Sequence, residues 1–194
     1  MPVRFELLTQ SHPVAAFACT NRDMTAYLHK HAFTNQQLGL GNTYVAIDQE
    51  TSDITGYFSL ATASMQVADL PPDLVRGLPG FPLPCLLLTR LARSASLQGK
   101  GIGSTLLIEA MRVALTIDKA VGYRYLVADA IDAGASVFYT KFGFFALPVS
   151  DDNAFPRRMV LNFKVVRTTI SQLDRRARAD ASRTTNQPTW AEKK

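Results

Sequence analysis

The residues with the most chemical content lie together in Gln98-Gly99-Lys100-Gly101-Ile102-Gly103-Ser104. Glycines let a main chain approach a phosphate without a side-chain clash, Lys100 adds a cation and Ser104 a hydroxyl. If a helix starts near Gly101, its first N–H groups and its positive dipole end face one point, which makes an anion site. The spacing excludes a P-loop, because GxxxxGK[ST] is absent, and Gly99-Lys100-Gly101 opens a GxGxxG without completing it. Tyr139 is the second group of interest. A phenol titrates at about 10, so it is protonated at neutral pH and can donate. Both features also have an unreactive reading: a glycine turn without ligand, and a core aromatic beside Phe138 and Phe142. No general base stands out, since His12, His29 and His31 are scattered and Glu50, Asp53 and Glu109 have no distinguishing context. Cys19 and Cys85 are isolated; nothing resembles a disulfide scaffold or a zinc site, no metal is expected, and Cys85 lacks the neighbouring base a nucleophile needs.

These groups need elements to hold them. Residues 3–8 read as a strand. Thr20 and Asp23 are spaced as in a capping box, and Met24, Tyr27, Leu28 and Ala32 follow at helical spacing. Residues 42–48 and 54–65 form a hairpin about a polar turn. Between 69 and 84 five prolines and two glycines forbid most regular structure, leaving one helical turn near 73–76. Residues 85–93 read as a strand buried in its first half, and 101–120 as a helix with Leu106, Leu107, Ala110, Met111, Ala114 and Leu115 on one face. A strand at 123–130, a helix at 133–142 stopped by Gly143, and closing strands at 144–148 and 157–165 follow. Ile170, Leu173 and Ala177 suggest one more helix, with loss of order beyond Ala181. The order is α/β and requires a mixed sheet with helices on both faces.

The pattern Gln98-x-x-Gly101-x-Gly103, set between a buried strand and a helix, resembles the GNAT superfamily of acyl-CoA N-acyltransferases. A second anchor is Ala135-Ser136-Val137-Phe138-Tyr139 followed by Gly143-Phe144; together the anchors cover about 86–145. Asp132 stands where the family pattern often has Asn and is not carried over as a donor contact. The resemblance implies a GNAT fold of six to seven strands, splayed between 88–93 and 126–130. It implies acetyl-CoA as donor, its pyrophosphate on Gln98, Gly99, Lys100, Gly101, Ile102, Gly103 and Ser104. Main-chain N–H groups of Leu91, Ala92 and Arg93 would hold the pantetheine and polarise the carbonyl, Phe138 and Phe142 would flank the donor, and Tyr139 would be the catalytic acid.

Further segments narrow the resemblance: Tyr27-Leu28, Asn42-Thr43-Tyr44-Val45, Gly56-Tyr57-Phe58-Ser59-Leu60, Pro82-Leu83-Pro84 and Leu87-Leu88-Thr89-Arg90-Leu91-Ala92-Arg93. With Phe138-Tyr139 they resemble the GNAT toxins of type II toxin–antitoxin systems, over about 17–165. That implies acetylation of the α-amino group of aminoacyl-tRNA, which blocks translation, a ribbon-helix-helix antitoxin as partner, and a homodimer. Arg93-Ser94 departs from the acidic or small residue and valine usual there, and the extension after Arg167 is longer than expected. A tRNA acceptor calls for cations around its mouth, for which Arg22, Lys30, Arg90, Arg93, Lys141, Arg157 and Arg158 are candidates. The same fold could instead serve a small-molecule or protein amine, or hold acetyl-CoA or an antitoxin without turnover.

The net charge of +5 is uneven, with +4 over residues 165–194 and +1 over 1–164. The expected organisation is therefore an acetyltransferase domain over 1–165 and a basic extension over 166–194. Basic residues there could attract nucleic acid or merely be solvated. The N-terminal residues lack the apolar run of a leader and no stretch is apolar enough to span a membrane, so a cytoplasmic location without membrane contact is expected.

Overall fold

The computed structural model describes residues 2–148 and 154–185, with side chains to residue 179. Among the described residues seven strands and six α-helices follow in the order β1 (Val3–Leu7), α1 (Arg22–Lys30), α2 (Ala32–Gln37), β2 (Asn42–Asp48), β3 (Ile54–Met65), α3 (Pro72–Val75), β4 (Leu83–Arg93), α4 (Ile102–Asp118), β5 (Tyr125–Ala130), α5 (Ala133–Thr140), β6 (Phe145–Ala146), β7 (Arg157–Asn162) and α6 (Phe163–Thr185). The strands make one sheet, β1-β2-β3-β4-β5-β7-β6. Among the described strands only β4 and β5 pair in parallel, and α4 is the crossover between them.

Alternation along the strands divides the core into two layers. Phe58, Leu60, Leu86, Leu88, Leu126 and Ala128 face α4, α5 and α6. Their sequence neighbours face the other way: Tyr57 packs with Leu28 and Ala32 of α1 and α2, while Cys85, Tyr125 and Val127 pack with Leu70 of the proline-rich connection. Leu106, Leu107, Ala110, Met111 and Ala114 recur at helical spacing and are fully buried. Each leucine so buried contributes about 1.5–3 kcal/mol, which anchors α4 and fixes where its N-terminus points. The sheet admits only a glycine at position 56, where a Cβ would lie 2.7 Å from the Leu106 side chain of α4 and 2.9 Å from the Ala92 carbonyl.

Several boundaries differ from expectation. The N-cap of α1 is Asn21, not Thr20: its side-chain oxygen accepts from the N–H groups of Asp23 at 2.9 Å and Met24 at 3.3 Å. Strand β4 starts two residues early and includes Pro84, whose carbonyl accepts from the Arg124 N–H at 2.8 Å. Helix α5 ends at Thr140, two residues before the expected end at 142, and β6 holds two residues of the expected 144–148 strand. The expected closing strand to 165 stops at Asn162, whose side chain accepts from the Lys164 N–H at 2.9 Å and so opens α6. Helix α6 runs through residue 165 and past Ala181, where order was expected to end. Val166 and Ile170 are buried in the α4 layer, and Arg167 reaches Asp118 at 3.0 Å while Arg112 pairs with Asp174. The expected disorder at 186–194 lies outside the described residues.

Candidate active site

The site starts from a break in the sheet. Strands β4 and β5 pair from Cys85↔Tyr125 to Leu88↔Ala128 and no further. At the same point β4 carries a bulge: Leu88 pairs with Leu60 and Arg90 with Ser59, leaving Thr89 as the extra residue. The Thr89 hydroxyl donates to the Ser59 carbonyl at 3.3 Å. A bulge bends its strand and raises its twist, so the end of β4 turns away from β5. A cleft of about 350 Å³ opens there. Its walls are residues 88–93 of β4 and Asp129 of β5; Gly103, Ala135, Phe138 and Tyr139 lie toward the α4 face, and Cys19, Thr20 and Met24 toward the α1 face. The cleft therefore passes through the sheet. Along Leu91, Ala92 and Arg93 successive N–H groups alternate between β3 and the open side.

At the rim of the cleft α4 begins on Gly101. This residue has φ +78°, donates no side-chain cap, and a Cβ there would meet nothing within 4 Å. The N–H groups of Ile102, Gly103 and Ser104 open the helix ahead of its first backbone bond, Thr105 N–H to the Gly101 carbonyl at 3.1 Å. Gln98, Gly99, Lys100 and Gly101 are exposed. The Ile102 side chain is buried in the core, so only its main chain faces outward. A Cβ at Gly103 would lie 3.7 Å from the Phe138 ring. The two motifs read from the sequence thus adjoin in space. Phe142 packs on Phe138 at 5.3 Å between ring centroids but does not line the cleft.

Tyr139 is 8% exposed, lines the cleft, and its hydroxyl has no hydrogen-bond partner among the described residues. Burial, and secondarily the charge of Asp129, pushes its phenol up to about 12. Phe138 and Phe144 each hold its ring at 5.3 Å. Asp129 is clamped by Arg158, with Nε at 2.7 Å and Nη2 at 3.0 Å on its two oxygens. That bond raises the pKa of the Arg158 guanidinium. Cys85 lies outside the cleft, and burial pushes its thiol up to about 11.

Of the cations proposed for the acceptor mouth, Arg90 and Arg93 line the cleft. Arg90 is held 4.7 Å over the Tyr27 ring and donates to the Thr89 carbonyl at 2.7 Å. Arg93 donates to the Ser94 carbonyl at 3.2 Å. Arg22, Lys30 and Lys141 are exposed and outside the cleft lining, and Arg157 stacks 5.3 Å over Phe155. Sequence reasoning missed Asp129, Cys19, Thr20, Met24 and Thr89. Asp129 had a signal, as the one acid in the apolar strand β5; the others had none. None of the three histidines lines the cleft: His12 bonds Glu6 at 3.1 Å and His29 the Phe17 carbonyl at 2.9 Å. The described residues hold no cluster suited to a metal ion, and no described helix is long and apolar enough to cross a membrane.

No family model matches the chain. A tRNA-acetylating toxin of Mycobacterium tuberculosis (strain ATCC 25618 / H37Rv) is 29% identical over 163 residues, spanning 84% of this chain and 93% of the relative. The solved structure of AtaT complexed with acetyl-methionyl-tRNAfMet is 25% identical, with a TM-score of 0.77 over 87% of this chain and 99% of that one. A tyrosine-to-phenylalanine mutant of AtaT, bound to the C-terminus of the antitoxin AtaR and acetyl-CoA, is 22% identical, with a TM-score of 0.71 over 88% of this chain and 99% of that one. The chain has the GNAT fold expected from its two motifs, and it resembles the tRNA-acetylating toxins along most of its length.

Proposed function

We propose that this chain, similar in sequence and fold to tRNA-acetylating toxins, transfers the acetyl group of acetyl-CoA to the α-amino group of aminoacyl-tRNA. The observation that carries the reading is the cleft through the sheet, with an uncapped helix start at its rim and a protonated phenol on its wall.

The residues fit the donor. The first-turn N–H groups of Ile102, Gly103 and Ser104 hold the pyrophosphate, with Lys100 supplying an exposed charge. The open-side N–H groups of β4 between Leu91 and Arg93 hold the pantetheine and polarise the thioester carbonyl. Phe138 closes the donor side. The neutral α-amine attacks the carbonyl carbon, a C–N bond forms, and the C–S bond breaks. Tyr139 gives its proton to the departing sulfur and is reprotonated by one from the amine. Starting from an ammonium, the products are the amide, the CoA thiol and one proton. An α-amine titrates at about 7.7–8.0, so much of it is already neutral at physiological pH and no strong base is required.

By the same resemblance the chain works in the cytoplasm as a homodimer, held in check by a ribbon-helix-helix antitoxin. The test incubates total charged tRNA and labelled acetyl-CoA with the purified chain. Label is expected on the aminoacyl moiety. Label on free amines or peptides, with none on any charged tRNA, would sink the reading.

A further inference from the structure

A second cavity, of about 630 Å³, adjoins the cleft. Its walls include Asp69, Pro71 and Pro72 of the proline-rich connection, Leu147, and Arg158. It shares a single lining residue with the cleft, Asp129. The alternation of β5 explains the geometry. Leu126, Ala128 and Ala130 face α4, whereas Tyr125 and Val127 face the proline-rich connection. Asp129 falls in their register, on the face away from the donor's helix start. The strand thus puts a carboxylate where the gap opens onto the opposite face.

The carboxylate is also held. Arg158 occupies one acceptor position on each oxygen, at 2.7 and 3.0 Å. A carboxylate has about four lone-pair sites, so two remain for another donor. Its charge reaches Tyr139, where it adds to the effect of burial on the phenol. Asp129 is thus within electrostatic range of the acid and open to both cavities.

We infer that the aminoacyl end of the acceptor enters through this second cavity, and that Asp129 receives its α-ammonium at the gap while Arg158 positions the carboxylate. The inference rests on the proposed aminoacyl-tRNA reading. Donor and acceptor then approach from opposite faces of the sheet and meet beside Tyr139. The ammonium docks on Asp129, loses a proton to solvent, and attacks as the neutral amine.

The experiment has two arms. In the first, Asp129→Asn and Arg158→Lys are compared with the parent on charged tRNA, with acetyl-CoA affinity measured by calorimetry. A lost hydrogen bond to a charged group corresponds to about 10- to 100-fold. Asp129→Asn is expected to raise KM for charged tRNA by that factor, with donor affinity within about twofold of the parent, and Arg158→Lys, which keeps a cation beside the intact carboxylate, is expected to raise it less. In the second arm the parent protein alone binds a 3′-aminoacyl-adenosine and its α-hydroxy analogue, which needs no variant to fold. The amine is expected to bind about tenfold tighter or better. Equal binding of the two, or an Asp129→Asn variant with parental kcat/KM on charged tRNA, overturns the inference while leaving the tRNA reading intact. A parent inactive on every charged tRNA, but active on other amines, removes both.

Discussion

The two sides of the cleft are built from different materials. The proposed donor side is main chain: a glycine N-cap, the first turn of α4, and the edge of β4 that β5 leaves unpaired beyond the bulge. Its side chains are few, and Ile102 turns inward to the core. The proposed acceptor side is made of charged side chains on separate elements: Asp129 on β5 and Arg90 on β4 line the cleft, and Arg158 on β7 lines the cavity beside it. Main-chain sites depend on conformation and tolerate the loss of a nearby charge. Side-chain sites depend on charge and respond to salt. Tyr139 stands between the two and should serve both.

The largest effect is therefore expected from Tyr139→Phe. The ring packing at 5.3 Å against Phe138 and Phe144 survives, and only the proton is lost. Turnover should fall about 10²- to 10⁴-fold, with acetyl-CoA affinity and melting temperature near parental values. Unchanged turnover would remove Tyr139 from the acid role. The pH profile sharpens the same assignment. Burial raises the phenol to about 12, which extends its protonated, donating form to higher pH. The rate should climb as the acceptor amine loses its proton at about 7.7–8.0, and stay level to about pH 10. A decline centred below about pH 10 would show that another group supplies the proton.

A smaller, one-sided effect is expected from Gly101→Ala. No atom within 4 Å obstructs a Cβ, but φ is +78°. An L residue there costs about 1–2 kcal/mol, which the first turn of α4 would relieve by shifting. Acetyl-CoA should then bind roughly tenfold more weakly, with KM for charged tRNA unchanged. Equal losses for both substrates would mean that the two sides are not separate.

The same division explains what could be read from the sequence. Glycine spacing before a helix has a physical cause visible in residue type alone, so the turn that opens α4 was legible, and the resemblance supplied the Phe138-Tyr139 segment that adjoins it. So were β2, β3 and the mixed sheet, because alternation and turn residues mark them locally. The splay was implied by the resemblance, but its cause was not legible. A bulge at Thr89 is a matter of register between β3 and β4, and threonine is an ordinary strand residue. The acceptor side was read as a set of cations, yet most of these lie outside the cleft. Charge count says nothing of which residues a sheet brings together. Arg158 was named only as a cation; its pairing with Asp129, twenty-nine residues earlier, needs β5 and β7 to be neighbours.

The smallest effect is expected where charge is removed from the donor side. Lys100 is exposed at the helix start, so its attraction to a phosphate is screened, worth about 0.2–1 kcal/mol. Lys100→Ala should weaken acetyl-CoA binding no more than about fivefold, and less at high salt. Salt should divide the two sides in the opposite sense. A polyanion held through several cations loses affinity steeply as salt rises, so KM for charged tRNA should climb about tenfold or more between about 50 and 200 mM salt. Acetyl-CoA affinity should change only a few-fold over the same range. Parallel salt dependence of both substrates would show that the donor side also works through side-chain charge, and that the N–H groups of α4 contribute less than their geometry suggests.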